Sequence, residues 1–235
     1  MSNIDVNELS KFAELAEHWW DKNGKFKSLH DINSLRVEYV ENACQGLFGK
    51  QIIDIGCGGG IFAEALANRD SSVTGLDMVE ASLQAAELHQ QDKQNKVQYV
   101  LSTAEEWANN NIAKYDIVTC LEMLEHVPVP QSVVKACADM VKPGGKVIFS
   151  TLNRNPKSLL FAIAAAEYLL RIVPTGTHEY EKFIKPSELI GMIEESGLVA
   201  KSMTGLHYNP ISGKYWMSDM NVDVNYFVYC EKPDF

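Results

Sequence analysis

Short apolar runs that alternate with helical stretches constrain the fold of this 235-residue chain more than any other feature. Five such runs are rich in β-branched residues and begin near residues 51, 73, 97, 115 and 146. Between them, apolar residues recur at helical spacing over 61–68, 80–91 and 131–141. Strands that alternate with helices indicate a parallel sheet covered on both faces, and continuous apolar strands agree with burial on both sides. The sequence therefore predicts an α/β protein.

The segments on either side of this alternation are also patterned. Apolar residues recur at helical spacing over residues 7–20, with Asn7 as a candidate N-cap, and a second helix is predicted over 34–47. Further along come an apolar helical segment over 158–173, a helix over 186–196, and edge strands over 199–206 and 222–230. No repeat or linker interrupts the chain. We therefore predict a single domain over 1–235, with an N-terminal helical cap over 1–48 and an insertion over 157–185.

The composition is that of an ordinary soluble protein and excludes several classes of function. Apolar residues make up 46%, charged residues 22%, and the formal net charge is −10, whereas a general nucleic-acid binder usually carries a basic surplus. The five cysteines form no CxxC pair, which favours free buried thiols in a reducing cytosol. The N-terminal residues are acidic and amphipathic, so we expect no secretory signal there, and no apolar run approaches the ~20 residues of a membrane span. We therefore expect a cytoplasmic protein with no nucleic-acid partner.

A glycine-rich turn after the first predicted strand indicates a nucleotide site. The sequence DIGCGGG spans 54–60, with glycines at 56, 58 and 60 between a strand and a helix. Glycines let a ligand approach the backbone closely, and the start of the helix offers unpaired N–H groups. Asp77 ends the second strand about twenty residues later, a position where an acid commonly binds ribose hydroxyls.

Two classes of ligand fit this turn, a dinucleotide and an adenosyl compound. The dinucleotide fingerprint places a third glycine one turn into the helix, where this chain has Ile61. The first strand also ends in an acid, Asp54, whose carboxylate repels a pyrophosphate but suits a ligand with an amino group and a sulfonium charge. A dehydrogenase is therefore disfavoured relative to an enzyme that uses an adenosyl compound.

Several motifs in a fixed order resemble those of the class I S-adenosylmethionine-dependent methyltransferases. They are Asp54-x-Gly56-x-Gly58-x-Gly60, GLD at 75–77, YDIVTCLEMLEHV at 115–127 and VKPGG at 141–145. Within this class the chain is most similar to the ubiquinone-biosynthesis O-methyltransferases. The similar segments are WWD at 19–21, FKSLHDINSLR at 26–36, EMLEHVP at 122–128, STLNRN at 150–155 and GLHYNP at 205–210.

This resemblance implies a Rossmann-like fold, in which a mostly parallel seven-stranded sheet is flanked by helices and the helical insertion follows strand 5. It also implies S-adenosylmethionine as the cofactor. The residues expected to bind the cofactor are Arg36, Asp54, Gly56, Gly58, Gly60, Asp77, Met78, Ala104, Glu105 and Leu121. In the family pattern, Arg36 holds the methionine carboxylate and Asp77 takes the ribose hydroxyls. Ala104 and Glu105 are expected to flank the adenine.

Glu122, Glu125 and His126 follow the fourth predicted strand, at the sheet edge where open α/β proteins bind ligands. If this stretch forms one helical turn, the three side chains share one face. Methyl transfer to a phenol needs help, because a phenol has a pKa near ~10 and is mostly un-ionised at neutral pH. His126 can accept the proton as a base. Alternatively, the three side chains can bind Mg²⁺ or another divalent metal that lowers the pKa of the phenol.

The insertion over 157–185 combines an unbroken apolar run with basic flanks. The run from Leu159 to Ala166 is too short to cross a bilayer, and the flanks hold five basic against three acidic residues. A core helix shows the same apolar pattern, but an apolar helix with basic flanks can also lie in a membrane interface. We expect peripheral contact with an anionic membrane through 157–185, at the inner face of the membrane.

The family resemblance implies an O-methyltransferase that acts on phenolic or catecholic hydroxyls of polyprenylated ubiquinone precursors, at both O-methylation steps, and that can join a ubiquinone biosynthetic complex. Two alternatives remain open. One is a methyltransferase of another small molecule, such as a soluble catechol or a ring carbon. The other is a non-catalytic scaffold that keeps the cofactor fold, although the intact glycine turn, Asp77 and the 122–126 cluster argue against lost activity.

Overall fold

In the computed structural model, residues 3–158 and 180–234 are described, and they build a mixed β-sheet with helices packed on it. The α-helices are α1 (Val6–Leu15), α2 (Lys27–Ala43), α3 (Ile61–Ala67), α4 (Glu80–His89), α5 (Ala104–Ala108), α6 (Pro130–Met140) and α7 (Pro186–Glu195). The strands are β1 (Gln51–Ile55), β2 (Ser72–Asp77), β3 (Gln98–Leu101), β4 (Tyr115–Leu121), β5 (Val141–Leu152), β6 (Val199–Asn209), β7 (Lys214–Ser218) and β8 (Asn225–Glu231). Short 3₁₀ helices span Ala16–His18, Leu124–His126 and Tyr180–Lys182.

The strand order in this sheet is β3-β2-β1-β4-β5-β8-β6-β7. Strands β1 to β5 pair in parallel, and β8, β6 and β7 extend the sheet by antiparallel pairing. The chain order therefore reverses beside β1, between β1 and β4, which creates a crevice at the carboxyl ends of those strands. This is the α/β architecture that the strand pattern predicts, in the Rossmann-like form that the family resemblance implies.

The predicted number of seven strands is wrong, because the described residues contain an eighth strand, β7. It forms a hairpin with β6, in which Tyr208 lies opposite Tyr215 and their rings are 4.6 Å apart. Gly213 closes the turn with φ of +68°, a value that glycine adopts readily. β7 is an edge strand with partly exposed side chains, so it lacks the continuous apolar run that marks the buried strands.

Each central strand contributes side chains to two hydrophobic cores, one on either face of the sheet. In β1, Ile53 and Ile55 belong to the core beneath α5, α6 and α7, whereas Ile52 belongs to the core beneath α2, α3 and α4. In β4, Val118 and Ile117 divide in the same way. Successive side chains of a strand point to opposite faces, so a strand covered on both sides must be apolar throughout.

The N-terminal cap packs against the glycine turn. Trp19 stacks on Phe26 with ring centroids 3.7 Å apart, and its indole nitrogen donates a hydrogen bond to Ser82 Oγ at 3.0 Å. A Cβ at Gly58 would lie 2.4 Å from the Trp19 ring, and Gly58 has φ of +53°, so only glycine fits beneath this tryptophan. The predicted N-cap of α1, Asn7, is wrong. Asp5 is the N-cap, because its side chain accepts hydrogen bonds from the backbone N–H groups of Asn7 and Glu8.

Most of the predicted insertion lies outside the described residues, which include only Lys157, Ser158 and 180–185 of it. Among the helices that the structure describes, none is both long and apolar enough to cross a bilayer. All five cysteines are buried and free, as predicted. The division of the chain into a single domain with a cap and an insertion remains a prediction.

Candidate active site

A cavity of about 1010 Å³ opens at the carboxyl ends of β1, β2 and β4, and the N-terminal cap forms part of its wall. Its lining includes all but one of the predicted cofactor-binding residues and all three members of the predicted catalytic cluster. Asp54, Asp77, Glu122 and Glu125 give this wall a concentration of carboxylates. Such a cavity favours a ligand that carries positive charge.

The glycine turn is held by the acid at the end of β2. Asp77 Oδ2 accepts the backbone N–H of Gly58 at 2.7 Å, and its Oδ1 accepts that of Val79 at 2.8 Å. Burial raises the pKa of Asp77, and the backbone hydrogen bonds oppose that shift. Gly60 is the predicted residue that is missing from the described cavity lining; it caps α3 instead, with φ of +82°.

Asp54 is buried at the end of β1 and accepts a hydrogen bond from Thr119 Oγ1 on β4 at 2.7 Å. Burial raises the pKa of Asp54 to about 7, although the Thr119 hydrogen bond and the charge of Arg36 both act to lower it. The free protein therefore holds this carboxyl near its titration midpoint at neutral pH. A cation placed beside it favours the ionised form.

Arg36 projects from α2 into the cavity wall and pairs with Glu122. The guanidinium Nη1 donates to Glu122 Oε2 at 3.2 Å, and Nη2 donates to Asn33 Oδ1 at 3.0 Å. Glu122 Oε1 also accepts from Ser150 Oγ at 2.8 Å and Asn225 Nδ2 at 3.1 Å. Within the described part of the chain, Arg36 Nε is buried with no hydrogen-bond partner. One donor of the buried guanidinium is therefore left unsatisfied among the described residues.

Residues 122–126 do not form the single helical turn that would place their three side chains on one face. Glu122 follows β4 with φ of +48°, outside helical geometry, and the 3₁₀ helix begins only at Leu124. Glu122 turns to Arg36, while the buried Glu125 Oε2 accepts from Thr151 Oγ1 at 2.7 Å. Among the residues the structure describes, no group of three His, Cys, Asp or Glu side chains is arranged to hold a metal ion. The three side chains therefore do not fit a shared metal site.

His126 pairs with a carboxylate from the N-terminal cap. Its Nδ1 lies 2.9 Å from Glu8 Oε2 on α1, and its ring meets Phe12 edge-on with centroids 5.2 Å apart. Burial alone lowers the pKa of His126, but the Glu8 hydrogen bond and the charge of Glu125 outweigh burial and raise it. The same hydrogen bond lowers the pKa of Glu8 to about 2. Glu8 is therefore an ionised carboxylate beside the imidazole.

The remaining predicted cofactor residues also line the cavity. Met78 follows β2, and Leu121 ends β4. Ala104 and Glu105 begin α5, which Thr103 caps by accepting a hydrogen bond from the Glu106 backbone N–H. Glu105 Oε1 also accepts from Asn3 Nδ2 at 2.9 Å, which attaches the start of the chain to this wall.

Two side chains at this site were not predicted from the sequence, Glu8 and Asn225. Glu8 had a local signal, because it lies one turn before Phe12, on the apolar face of an amphipathic helix where a charge is unexpected. Asn225 begins β8 and donates to Glu122, but nothing in its local sequence distinguishes it from a strand-end asparagine. Its contact depends on the pairing of β8 with β5.

Comparison with known proteins places the chain among methyltransferases. A family model described as a methyltransferase domain matches residues 38–202. Over 230 residues the chain is 55% identical to a ubiquinone biosynthesis O-methyltransferase of Vibrio vulnificus (strain YJ016), covering 98% of this chain and 97% of that protein. The enzyme of that name from Acinetobacter baumannii (strain AYE) is 53% identical over 231 residues, with 98% and 97% covered.

Solved structures share the fold at low sequence identity. A possible histamine N-methyltransferase from Thermotoga maritima has a TM-score of 0.67 and 15% identity, covering 97% of this chain and all of that one (100%). Magnesium protoporphyrin IX methyltransferase from Synechocystis PCC 6803, with bound SAH, has a TM-score of 0.61 and 18% identity, with 98% and 90% covered. The class I fold, the matched domain and the identity along nearly the whole chain lead to one conclusion: this chain belongs to the ubiquinone biosynthesis O-methyltransferases, a family of S-adenosylmethionine-dependent enzymes.

Proposed function

We propose that this enzyme transfers a methyl group from S-adenosylmethionine to a phenolic oxygen of polyprenylated ubiquinone precursors, at both O-methylation steps. The observation that carries the proposal is the acid-lined cavity at the carboxyl ends of β1, β2 and β4, with His126 on its wall. The names of the close relatives support the choice of acceptor. Both acceptor hydroxyls belong to similar rings, so one cavity can serve both steps.

The residues of the cavity suit the charged groups of S-adenosylmethionine. This cofactor supplies a methyl group on a positively charged sulfur. We assign its carboxylate to Arg36, whose Nε is buried without a partner among the described residues, and its amino group to the side of Asp54. We assign the ribose hydroxyls to Asp77. Gly56 and Gly58 line the same wall of the cavity, where the Met123 side chain and the Trp19 ring pack closely against them.

Four further residues complete the proposed cofactor site. Leu121 and Met78 supply apolar contact at the ends of β4 and β2, and Ala104 and Glu105 flank the adenine at the start of α5. Gly60 contributes indirectly, because it sets the first turn of α3 rather than a wall of the cavity. These assignments follow the family pattern, and the positions of the side chains at the cavity support them.

We assign activation of the acceptor to His126 as a general base. A carboxylate can only accept, so the Glu8 contact keeps the proton on Nδ1 of the neutral ring and leaves Nε2 as the basic atom. Nε2 takes the proton of the acceptor hydroxyl, and the oxygen lone pair forms the new O–C bond. The C–S bond breaks as this bond forms, and its electron pair stays on sulfur in S-adenosylhomocysteine.

The base, rather than a metal, is the activation that the side chains support. Glu122, Glu125 and His126 each have a separate partner, in Arg36, Thr151 and Glu8. Glu122 and Glu125 then act by holding the wall of the cavity in shape.

The fate of the acceptor tests the proposed reaction. Incubation with S-adenosylmethionine and a long-tailed catechol should yield a product heavier by one methylene unit, because O–CH₃ replaces O–H. A long-tailed catechol should react with a lower KM than its short-tailed analogue, since burying each additional CH₂ stabilises the complex by about 0.8 kcal/mol. Product mass and both KM values are measured by mass spectrometry. Equal KM values would favour a soluble acceptor, and methylation of a ring carbon would contradict the proposed reaction.

Removal of metals tests the base. We expect enzyme dialysed against a chelator to keep its activity, and His126→Gln to lose roughly 10²- to 10⁴-fold in kcat, the usual contribution of general base catalysis. The rates of chelated, Mg²⁺-supplemented and variant enzymes are compared at one pH. If activity is lost on chelation and recovers when Mg²⁺ is added, a metal rather than His126 activates the acceptor hydroxyl.

The pKa of Asp54 makes cofactor affinity depend on pH. Below about pH 7 the free carboxyl is largely protonated, and binding of a cationic cofactor must release that proton. Affinity for S-adenosylmethionine should therefore rise with pH, by up to about tenfold per unit, and level off above the raised pKa. Isothermal titration in buffers of different ionisation enthalpy counts the released protons.

Substitution provides the control for this pH dependence. Asp54→Asn should bind the cofactor more weakly and with a flatter pH profile. Asp139→Asn, which alters a carboxylate paired with Lys135 on the surface of α6, should keep the wild-type profile. A wild-type affinity that does not change with pH would remove Asp54 from the amino-group site.

We propose that the acceptor reaches the cavity from the inner face of the cytoplasmic membrane, with peripheral contact through 157–185. The apolar run of this segment, which lies outside the described residues, supports the contact. The described flanks contribute less charge than their sequence indicates, since Arg154 pairs with Glu188 and Lys157 with Asp223. Contact with a ubiquinone biosynthetic complex is part of the same proposal.

Liposome flotation tests the membrane contact. The protein should float with both anionic and neutral vesicles, and anionic lipid should strengthen flotation only modestly, because Arg154, Lys157 and Lys182 already have acidic partners. A protein that stays at the bottom of the gradient with either lipid would contradict membrane docking.

A further inference from the structure

Glu8 is a buried acid that neither the family pattern nor the proposed cofactor site accounts for. Its residue surface is only 5% exposed, although it lies on α1, in the N-terminal cap. Its Oε2 contacts His126 Nδ1 at 2.9 Å across 118 positions of sequence. Its Oε1 accepts from Lys11 Nζ at 2.9 Å and from Lys182 Nζ at 3.5 Å. Burial of a carboxylate is costly unless charged partners compensate it, and here they do.

We propose that Glu8 is a positioning residue for His126: it holds the imidazole with its proton on Nδ1 and its ring fixed, so that Nε2 serves as the base for the acceptor hydroxyl. This inference rests on the proposed role of His126. The ring has few other orientations open to it, because Phe12 contacts it edge-on from the next turn of α1. One helix thus supplies both the charge and the apolar contact that orient the imidazole.

A purely structural role for Glu8, as an attachment point for the cap, is the competing explanation. Other contacts already attach this part of the chain. Asn3 donates to Glu105 and to the Val129 carbonyl, and accepts from the Val129 backbone N–H at 2.8 Å. Asp5 pairs with Lys182 at 3.1 Å. None of these contacts involves His126, so α1 keeps other attachments to the cavity wall when Glu8 is substituted.

The test compares Glu8→Gln with Glu14→Gln. Glutamine has nearly the shape of glutamate, but its amide can donate to Nδ1 and so favour the tautomer in which Nε2 carries the proton. We expect Glu8→Gln to lower kcat by roughly 10²-fold with a weakly acidic phenol, without change in the KM for S-adenosylmethionine. Glu14 is an exposed glutamate on the same helix, and its substitution should leave both constants unchanged.

A second acceptor separates positioning from damage to the fold. A nitrocatechol ionises well below the pKa of an ordinary phenol, so its hydroxyl needs no base. Glu8→Gln and His126→Gln should both recover close to wild-type rates with this acceptor. ¹⁵N NMR of the imidazole should show the proton on Nδ1 in the neutral wild type and a shift toward Nε2 in Glu8→Gln. Glu8→Asp, which keeps the carboxylate, should restore part of the activity.

The outcomes distinguish this inference from the proposed function beneath it. If His126→Gln keeps full activity with the ordinary phenol, His126 is not the base and both proposals fail. If His126→Gln loses activity but Glu8→Gln does not, the base stands and the positioning role of Glu8 is wrong. If Glu8→Gln is equally impaired with the ionised acceptor, its effect is structural and the inference is overturned.

Discussion

Parallel pairing of β1 with both β2 and β4 is the constraint on which the rest of this site depends. In that register Ile55 lies opposite Leu76 on one side and Cys120 on the other. The residues at the strand ends, Asp54 and Asp77, are thereby brought to one sheet edge. Removing carboxylates from water raises their pKa, and only hydrogen bonds and cations reverse that effect. In the unbound protein, burial at this sheet edge therefore raises the pKa of both Asp54 and Asp77.

The N-terminal cap completes the site from the opposite side. It provides the guanidinium of Arg36, the carboxylate of Glu8 and the Trp19 ring over Gly58. All three residues precede position 38, where the match to the general methyltransferase domain begins. The shared domain accordingly supplies the acidic edge of the sheet. The cap supplies Arg36, which donates a hydrogen bond to Glu122, and Glu8, which contacts the imidazole of His126.

The 122–126 stretch shows why a local pattern was insufficient at the centre of the site. Two glutamates and a histidine within five positions would share a face in a regular helix, and a metal site was a reasonable hypothesis on that basis. Glu122 instead adopts φ of +48°, and its carboxylate is held by Arg36, Ser150 and Asn225. Those partners come from α2, β5 and β8, and none is close to Glu122 in sequence. A residue in a rarely populated backbone conformation persists only when such surrounding contacts hold it.

The elements of the fold could be predicted from the sequence because their signals are local. Buried strands are apolar throughout, and in surface helices apolar residues recur every three or four positions. Edge strand β7 was missed, since its side chains are half exposed and lack that signal. The sequence by itself determined the α/β architecture, the glycine turn and the two acids at the ends of β1 and β2. The tertiary structure alone decided which partner each polar side chain takes, Arg36 for Glu122, Thr151 for Glu125 and Glu8 for His126. The physical reason is that a side-chain hydrogen bond depends on distance in space, whereas helical and strand periodicity depend only on distance along the chain.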